Sequence, residues 1–210
     1  MRIDLDTVSA EDKMHAPAAQ RNQSAILDVL RLHLPNSGTV LELASGSGEH
    51  ACLFAKTLAP RKWLPTDRAE AAVKSIAAWR AEQVSPRPLL PRYLDCLDAE
   101  WPVADITDLT AIVAVNLLHI APWRVCEALF DQAGKLLRAD GVIITYGPYR
   151  RGSDFMSDGN LQFDSALRRR DPQLGLRDIG DVVAQAAVSG WQLAAEISMP
   201  ANNLTLVWRR

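Results

Sequence analysis

The 210-residue chain is poor in the residues that build metal centres and disulfides. It has three cysteines and four histidines, and none of them lie at the close spacing of metal ligands. An odd number of scattered cysteines favours reduced thiols. We therefore expect a cytoplasmic protein without disulfides and without a bound metal.

The chain also lacks an excess of charge of one sign and a long uninterrupted apolar run. Its 23 Lys and Arg and 25 Asp and Glu give a formal net charge of −2, so no basic face for nucleic acid is expected. The most apolar run, residues 109–120, is interrupted by Thr110, Asn116 and His119. The amino terminus has no apolar signal region, and we expect no membrane association.

Strand-like and helical segments alternate along most of the chain. We predict a single domain, residues 1–210, that begins with a loose polar arm over residues 1–16. An amphipathic helix follows from Pro17 to the stop at Pro35-Asn36-Ser37-Gly38. Strands are then predicted at 39–43, 62–66, 89–94, 109–116 and 142–146, with helices at 48–58, 70–82 and 123–137. This alternation indicates a parallel sheet with helices on both faces.

The last third of the chain departs from that alternation. Residues 147–177 are rich in Gly, Asp and Arg, with one possible helical turn at 163–168, and we expect them to form a lid loop. After a short helix at 178–188, two strands are predicted at 191–198 and 203–208. The four residues between these strands are too few for a parallel crossover, so the strands should form an antiparallel pair.

The most informative motif is a glycine-rich turn that follows the first predicted strand. Gly46 and Gly48 lack a Cβ, so the backbone can approach a ligand closely, and the next helix directs free N–H groups toward the same space. Glu42 lies near the carboxyl end of the strand, where α/β sheets bind ligands. Its carboxylate suits an ammonium group and hydroxyls better than a pyrophosphate, because like charges repel.

The pattern Glu42-x-Ala44-x-Gly46-x-Gly48 resembles the first motif of class I S-adenosylmethionine-dependent methyltransferases. Two other interpretations stay open at this point. Gly46-x-Gly48-x-x-Ala51 also fits a dinucleotide-binding fingerprint. The segment can also be a plain turn between a strand and a helix that binds no ligand.

Two further carboxylates follow the next predicted strands. Asp67 comes 19 residues after Gly48, where this type of fold places an acid that accepts hydrogen bonds from ribose hydroxyls. It can equally cap the following helix, and NAD sites use the same acid. By resemblance, Asp95 reads the exocyclic amine of adenine; the alternative is an ordinary turn residue.

The mostly parallel sheet with an antiparallel C-terminal hairpin resembles the seven-stranded, Rossmann-like class I methyltransferase fold. The resemblance implies that Asn116 and His119, after the fourth strand, line the reaction centre. A lone histidine is more often structural than catalytic, but its position at the carboxyl end of a strand favours a role in proton transfer.

Nearly the whole chain is also similar to the methyltransferase-like 26 family and its bacterial relatives. The resemblance is carried by the glycine turn with His50 and by residues 17–22, 116–123, 146–149, 163–172, 175–178 and 199–204. Gln20 departs from the pattern, since relatives often carry an acid there. Gly147-Pro148 suits a turn, and the charged residues of 164–178 can form a network that orders the long loop.

These resemblances imply transfer of a methyl group from S-adenosylmethionine to a small-molecule acceptor. The expected donor-binding residues are Arg21, Asn22, Glu42, Ala44, Gly46, Gly48, Asp67, Asp95 and Asn116. His119 is expected to deprotonate or orient the acceptor, with Tyr149 as a second candidate. Two alternatives remain: a nonenzymatic protein that binds S-adenosylmethionine, and a small NAD-linked reductase.

Overall fold

The computed structural model describes residues 3–210, in which helices and strands alternate as expected. Except for β3, which is shorter, the elements of the predicted sheet match the expected bounds to within one residue at each end. The elements are α1 (Pro17–His33), β1 (Thr39–Leu43), α2 (Glu49–Thr57), β2 (Lys62–Asp67), α3 (Glu70–Ala81), β3 (Arg92–Tyr93), β4 (Leu109–Val115), α4 (Trp123–Leu136), β5 (Val142–Gly147), β6 (Tyr149–Arg150), α5 (Asp158–Arg170), β7 (Arg177–Asp178), α6 (Ile179–Val188), β8 (Gln192–Met199) and β9 (Asn203–Arg209).

Seven strands form one sheet in the order β3-β2-β1-β4-β5-β9-β8. β1, β2 and β3 pair in parallel, whereas β9 pairs antiparallel with both β5 and β8. The predicted mixed sheet with a C-terminal antiparallel hairpin is therefore confirmed. The chain divides into two compact units, Met1–Val113 and Ala114–Arg210, and the boundary falls inside β4. The expectation of a single domain stays a prediction.

The first unit buries β1 completely and bonds the loop after β1 to β2. All five residues of β1 are buried, as expected for a strand covered on both faces. Phe54 of α2 contacts Trp63 of β2 edge-on, with ring centroids 5.2 Å apart. The N–H of Ser45, just after β1, donates to the carbonyl of Thr66 at 2.9 Å. This bond fixes the start of the glycine turn against β2.

Hydrogen bonds fix residues 9–16, which were predicted to be part of a loose arm over residues 1–16. Ser9 caps a short 3-10 turn, Ala10–Asp12. The N–H of Met14 donates to Ser75 Oγ at 2.7 Å, and the N–H of Ala16 donates to Glu49 Oε2 at 2.7 Å. The prediction is wrong for these residues because polar partners on distant elements satisfy the backbone, which no local periodicity reveals. Residues 1–2 lie outside the described part of the chain.

The segment 147–177 is largely ordered secondary structure, so the expected loop is wrong in form. It contains the 13-residue helix α5 and the strands β6 and β7, which pair in parallel. Ser157 caps α5 by accepting from the N–H of Asn160, and Arg168, Arg169 and Arg170 occupy its last turn, where positive charge is favourable. The helix is mostly polar, which explains why apolar periodicity indicated only a single turn.

Candidate functional site

The loop after β1 has the backbone of a ligand-binding turn. Ala44, Gly46 and Gly48 all have positive φ, at 52°, 57° and 93°. A Cβ on Gly48 would lie 2.8 Å from Ile76 Cα, so this glycine is required by packing against α3. A Cβ on Gly46 would meet no atom within 4 Å. Gly46 therefore borders open space, while Gly48 anchors the turn.

Asp67, the last residue of β2, holds this loop in place. Its Oδ2 accepts from the N–H of Gly46 at 3.0 Å, and its Oδ1 accepts from the N–H of Ala69 at 2.9 Å. The cap position of α3 is Ala69, so Asp67 is not the helix cap that the sequence left open. Each carboxylate oxygen can accept a further hydrogen bond. The side chain thus keeps spare acceptor capacity beside the glycine turn.

Glu42 is the most enclosed carboxyl group of the loop region, with 1% of its surface exposed. Its Oε2 accepts from the indole N–H of Trp63 at 2.9 Å. Burial raises the pKa of Glu42 to about 7, although hydrogen bonds from Trp63 and Ser45 favour the charged form. A cationic group placed nearby would favour ionisation, and the predicted contact with a cofactor stays a prediction.

The remaining donor candidates of the first unit differ in their surroundings. Asp95 accepts from the N–H of Leu97 at 2.9 Å, which is the hydrogen bond of a turn residue, and this leaves its second oxygen 3.9 Å from Arg68 Nη1. Arg21 is exposed on α1. Asn22 Oδ1 lies 2.9 Å from Nε2 of the buried His50. This histidine therefore orients Asn22.

In the second unit, Asn116 and His119 follow β4 and converge on one glycine. Asn116 has a φ of 58°, and its N–H donates to the carbonyl of Tyr146 at 2.8 Å. A Cβ on Gly147 would lie 3.0 Å from His119 Nδ1 and 3.6 Å from Asn116 Oδ1. Gly147 thus provides the space that the two predicted side chains share.

The His119 ring is buried, and its nitrogen atoms are not engaged in hydrogen bonds within the described residues. It is 4% exposed, and its one ring contact is edge-on with Phe163 of α5, at a centroid distance of 5.5 Å. Neither ring nitrogen has a hydrogen-bond partner within residues 3–210. Burial, followed by the charge of Arg177, lowers the pKa of His119 to about 4. The imidazole is therefore neutral at physiological pH and has a nitrogen lone pair available.

Tyr149 has different surroundings from those expected of a catalytic candidate. Its hydroxyl donates to Thr145 Oγ1 at 2.9 Å, and that oxygen also lies 3.2 Å from the indole nitrogen of Trp208. The side chain is 2% exposed, and burial raises the pKa of its hydroxyl. These contacts favour a structural role for Tyr149 over proton transfer.

Sequence reasoning missed three residues that shape the two regions. Trp63 binds the Glu42 carboxyl, Gly147 makes room for His119, and Arg177 binds the loop that carries His119. Gly147 was interpreted only as a turn residue, and Arg177 only as part of a charge network. That network exists in part, since Arg168 pairs with Asp164 at 2.8 Å. Spacing along the chain gives no signal for the other contacts.

Residues 13–210 match the family model described as "Protein of unknown function (DUF938)". The chain belongs to the DUF938 family. The described part of this DUF938 protein has no cluster of three or more side chains suited to hold a metal ion. Nor does residue range 3–210 contain a helix with the length and apolarity needed to cross a bilayer.

Solved structures similar to the DUF938 protein include several methyltransferases. An O-methyltransferase family 2 protein from Planctomyces limnophilus, in complex with apigenin, has a TM-score of 0.75 and 19% identity, over 92% of this chain and 58% of that one. Human N-acetylserotonin methyltransferase in complex with SAM has a TM-score of 0.71 and 15% identity, over 92% and 52%. Magnesium protoporphyrin IX methyltransferase from Synechocystis with bound SAH has a TM-score of 0.62 and 15% identity, over 91% and 83%.

The DUF938 chain spans little more than half the length of the first two of these proteins. The likeness shows that it has the class I methyltransferase fold. The expected fold class is thereby confirmed a second time, independently of strand order.

Proposed function

We propose that this protein is an S-adenosylmethionine-dependent methyltransferase that acts on a small-molecule acceptor. The observation that carries the proposal is the glycine loop of a class I methyltransferase fold, held by Asp67 with Gly46 bordering open space. Similar proteins of known structure hold SAM or SAH, and one holds apigenin. The proposed donor-binding residues are Arg21, Asn22, Glu42, Ala44, Gly46, Gly48, Asp67, Asp95 and Asn116.

The surroundings of these residues fit such a donor chemically. Glu42 is a buried carboxyl with a raised pKa, and a ligand ammonium group would favour its charged form. Asp67 keeps free lone pairs for ribose hydroxyls after binding Gly46 and Ala69. The carboxylate of Glu42 does not suit a pyrophosphate, because like charges repel. Glu42 therefore favours the methyl donor over a dinucleotide, whereas Asp67 fits the ribose of either ligand.

The role of the protein in the reaction would be alignment, exclusion of water and proton removal. S-adenosylmethionine, when bound, supplies a methyl group on a sulfonium centre that is already activated. The acceptor heteroatom loses its proton as it gains the methyl group, and we assign that proton to the neutral ring of His119. Tyr149 is the weaker candidate, because its hydroxyl is occupied by Thr145.

Three finer parts of the proposal concern the family, the acceptor side of the site and the location of the protein. The shared segments of the methyltransferase-like 26 proteins suggest a common site. Residues 147–177 are proposed to cover the acceptor, since Phe163 of α5 contacts the His119 ring. All three cysteines are free and buried, which supports a reducing, cytoplasmic location.

Calorimetric titration with S-adenosylmethionine, S-adenosylhomocysteine and NADH in parallel tests the proposal. We expect the first two to bind and NADH not to bind. Asp67→Ala should weaken donor binding at least about tenfold, because a hydrogen-bonded charged partner is lost. Asp28→Ala, at an exposed position of α1, is the matched control and should bind like the unchanged protein. Binding of NADH alone would refute the proposal.

A methyl-transfer screen then separates an enzyme from a nonenzymatic binding protein. Small-molecule acceptors with hydroxyl, thiol or amine groups are incubated with methyl-labelled S-adenosylmethionine. Transfer to any of them that depends on His119 supports catalysis. Tight donor binding with no transfer to any acceptor class would favour the sensor interpretation.

A further inference from the structure

Arg177 of β7 uses its guanidinium to bind backbone carbonyls. Its Nε donates to the carbonyl of Leu118 at 2.8 Å, and its Nη2 donates to the carbonyls of Ala121 and Gln173. It forms no ion pair with a carboxylate within residues 3–210. Arginine normally pairs with acids, so a guanidinium that binds backbone carbonyls fixes a loop rather than neutralises a charge.

Two of the three carbonyls that Arg177 binds lie on either side of His119. Leu118 precedes the histidine, and Ala121 follows it by two residues. The carbonyl of His119 itself accepts from the N–H of Gly175 at 3.0 Å. Residues 175–177 therefore hold three carbonyls of the segment 118–121. The backbone that carries the proposed base has little freedom to move.

The holding segment is in turn fixed on α5. Asp164 Oδ1 accepts from the N–H of Leu176 at 2.7 Å, while its Oδ2 accepts from Arg168 Nε at 2.8 Å. A Cβ on Gly175, whose φ is 133°, would lie 2.7 Å from Asp164 Oδ1. Gly175 is thus required for this close approach. The same helix carries Phe163, which contacts the His119 ring.

The charged residues near His119 differ in their effect on its pKa. Asp164 and Arg168 lie on α5 as an ion pair, so their charges largely compensate each other. The ring's other neighbours are uncharged: Phe163 on α5 and Gly147 at the end of β5. Arg177 is the cation whose charge, after burial, lowers the pKa of His119. A positive neighbour disfavours the charged imidazolium.

We propose that Arg177 is a positioning residue, which binds the 118–121 backbone and thereby fixes His119 as the proton acceptor. The inference rests on the function proposed above for His119. It extends that function from the ring to the segment that places it. Arg177 acts on the reaction through the geometry of this loop, while its charge keeps the ring neutral before the acceptor binds.

Histidine-selective NMR tests the proposal without any acceptor. The His119 signal is assigned with His119→Gln, and its titration is followed from pH 8 down to the acid side of its pKa. In the unchanged protein the ring should stay neutral at physiological pH and become protonated only near its pKa of about 4. Arg177→Met should raise that pKa, because a neighbouring cation and the hydrogen bonds that hold the loop are both removed.

Arg177→Lys and Arg169→Met complete the series. Lysine keeps the charge but lacks the planar fork, so it should raise the pKa less than methionine while weakening the Overhauser contact between the His119 and Phe163 rings. Arg169 is exposed on α5, and its substitution should change neither quantity. If Arg177→Met does not fold, the Lys variant decides, through the ring contact.

An unchanged pKa of His119 in Arg177→Met would overturn the proposal, as would an unchanged ring contact in the Lys variant. Donor calorimetry on the same variants separates this result from the proposed function. None of the hydrogen bonds of Arg177 involves a proposed donor-binding residue, so donor affinity should change little. If the unchanged protein does not bind the donor, the methyltransferase proposal is refuted, but the assignment of Arg177 as the residue that positions His119 is not.

Discussion

The segments that follow β1 and β4 have similar backbones and opposite side-chain environments. Each begins with a non-glycine residue of positive φ, Ala44 at 52° and Asn116 at 58°. Beside the first segment, the polar side chains have partners within the protein: Glu42 binds Trp63, and Asp67 binds the N–H of Gly46. In the second segment the His119 ring has no hydrogen-bond partner within residues 3–210.

The two buried histidines of these regions make the difference explicit. His50 is 7% and His119 is 4% exposed, and burial lowers the pKa of both to about 4. His50 lies 2.9 Å from Asn22 Oδ1, whereas the His119 ring only touches Phe163. A binding loop needs internal partners that make it rigid, while a group that exchanges protons must keep its lone pair free. Burial alone does not distinguish the two.

The largest expected effect comes from removing the free histidine. His119→Gln should lower the rate of methyl transfer by about 10²- to 10⁴-fold, the usual contribution of a general base. Its stability should change by less than about 1 kcal/mol, since no hydrogen bond is lost. His50→Gln is the matched variant and should chiefly reduce stability. Transfer assays measure the rates, and urea unfolding measures the stabilities. Equal transfer rates for the two variants would contradict the different roles of His119 and His50.

The glycine pair of the first segment gives the next largest effect. Gly48→Ala should destabilise the protein by about 2–4 kcal/mol, because it adds left-handed strain and a clash with the backbone of Ile76. Gly46→Ala adds the strain but no clash, so it should cost about 1–2 kcal/mol. It should instead weaken donor binding, since its Cβ points into open space. Urea unfolding and calorimetry separate these outcomes; equal stability losses would contradict the packing difference.

The buried carboxyl of Glu42 predicts a pH-dependent difference in stability. Its pKa is raised from 4.5 to about 7, so the native state binds a proton that the unfolded state releases between these values. This contribution is present below pH 4.5 and is lost as pH rises through 7. Glu42→Gln should therefore gain roughly 2–3 kcal/mol over the unchanged protein between pH 5 and pH 8.

Urea unfolding at both pH values measures this difference. Glu127→Gln, at an exposed position of α4, serves as the control and should show no pH-dependent gain. His50 and His119 are present in all of these proteins, so their contribution cancels in the difference between the free energies of unfolding. A constant difference between Glu42→Gln and the unchanged protein would show that Glu42 is charged in the native state throughout.

The smallest effect is expected at Tyr149. Tyr149→Phe removes the hydroxyl that donates to Thr145, which should cost about 1 kcal/mol of stability. The methyl-transfer rate should stay within about twofold, because the buried hydroxyl takes no part in proton removal. Thr145→Val is a matched probe of the same bond. A rate loss comparable to that of His119→Gln would assign the proton to Tyr149 instead.

Much of the fold could be predicted because each element carries its own periodicity. The apolar strands, the Pro17 helix start and the short link before β9 determine the order and direction of the elements from local rules. The spacing of the glycine turn likewise indicated the positions of Gly46, Gly48 and Asp67 in the loop, and their contact with a cofactor stays a prediction. The full length of helix α5 could not be predicted, because its polar sequence shows little amphipathic pattern. Its cap at Ser157 also lies in a region rich in turn residues.

The contacts that define the site could not be predicted in this way. The Arg177 bonds to Leu118 and Ala121 span more than 50 residues, and the bond between Trp63 and Glu42 joins neighbouring strands. Such contacts depend on register and rotamer, which no single segment encodes. Whether His119 has a free or an occupied ring is decided by the same tertiary packing.

The most direct test of the central claim is to map S-adenosylhomocysteine binding onto the backbone by NMR. In the ¹⁵N-labelled protein, we expect the largest amide shifts at Gly46, Gly48 and Glu49 and at the residues around Asp67. Saturating ligand that leaves these amides unchanged, or that shifts only amides elsewhere in the chain, would contradict a methyl-donor site at the glycine loop.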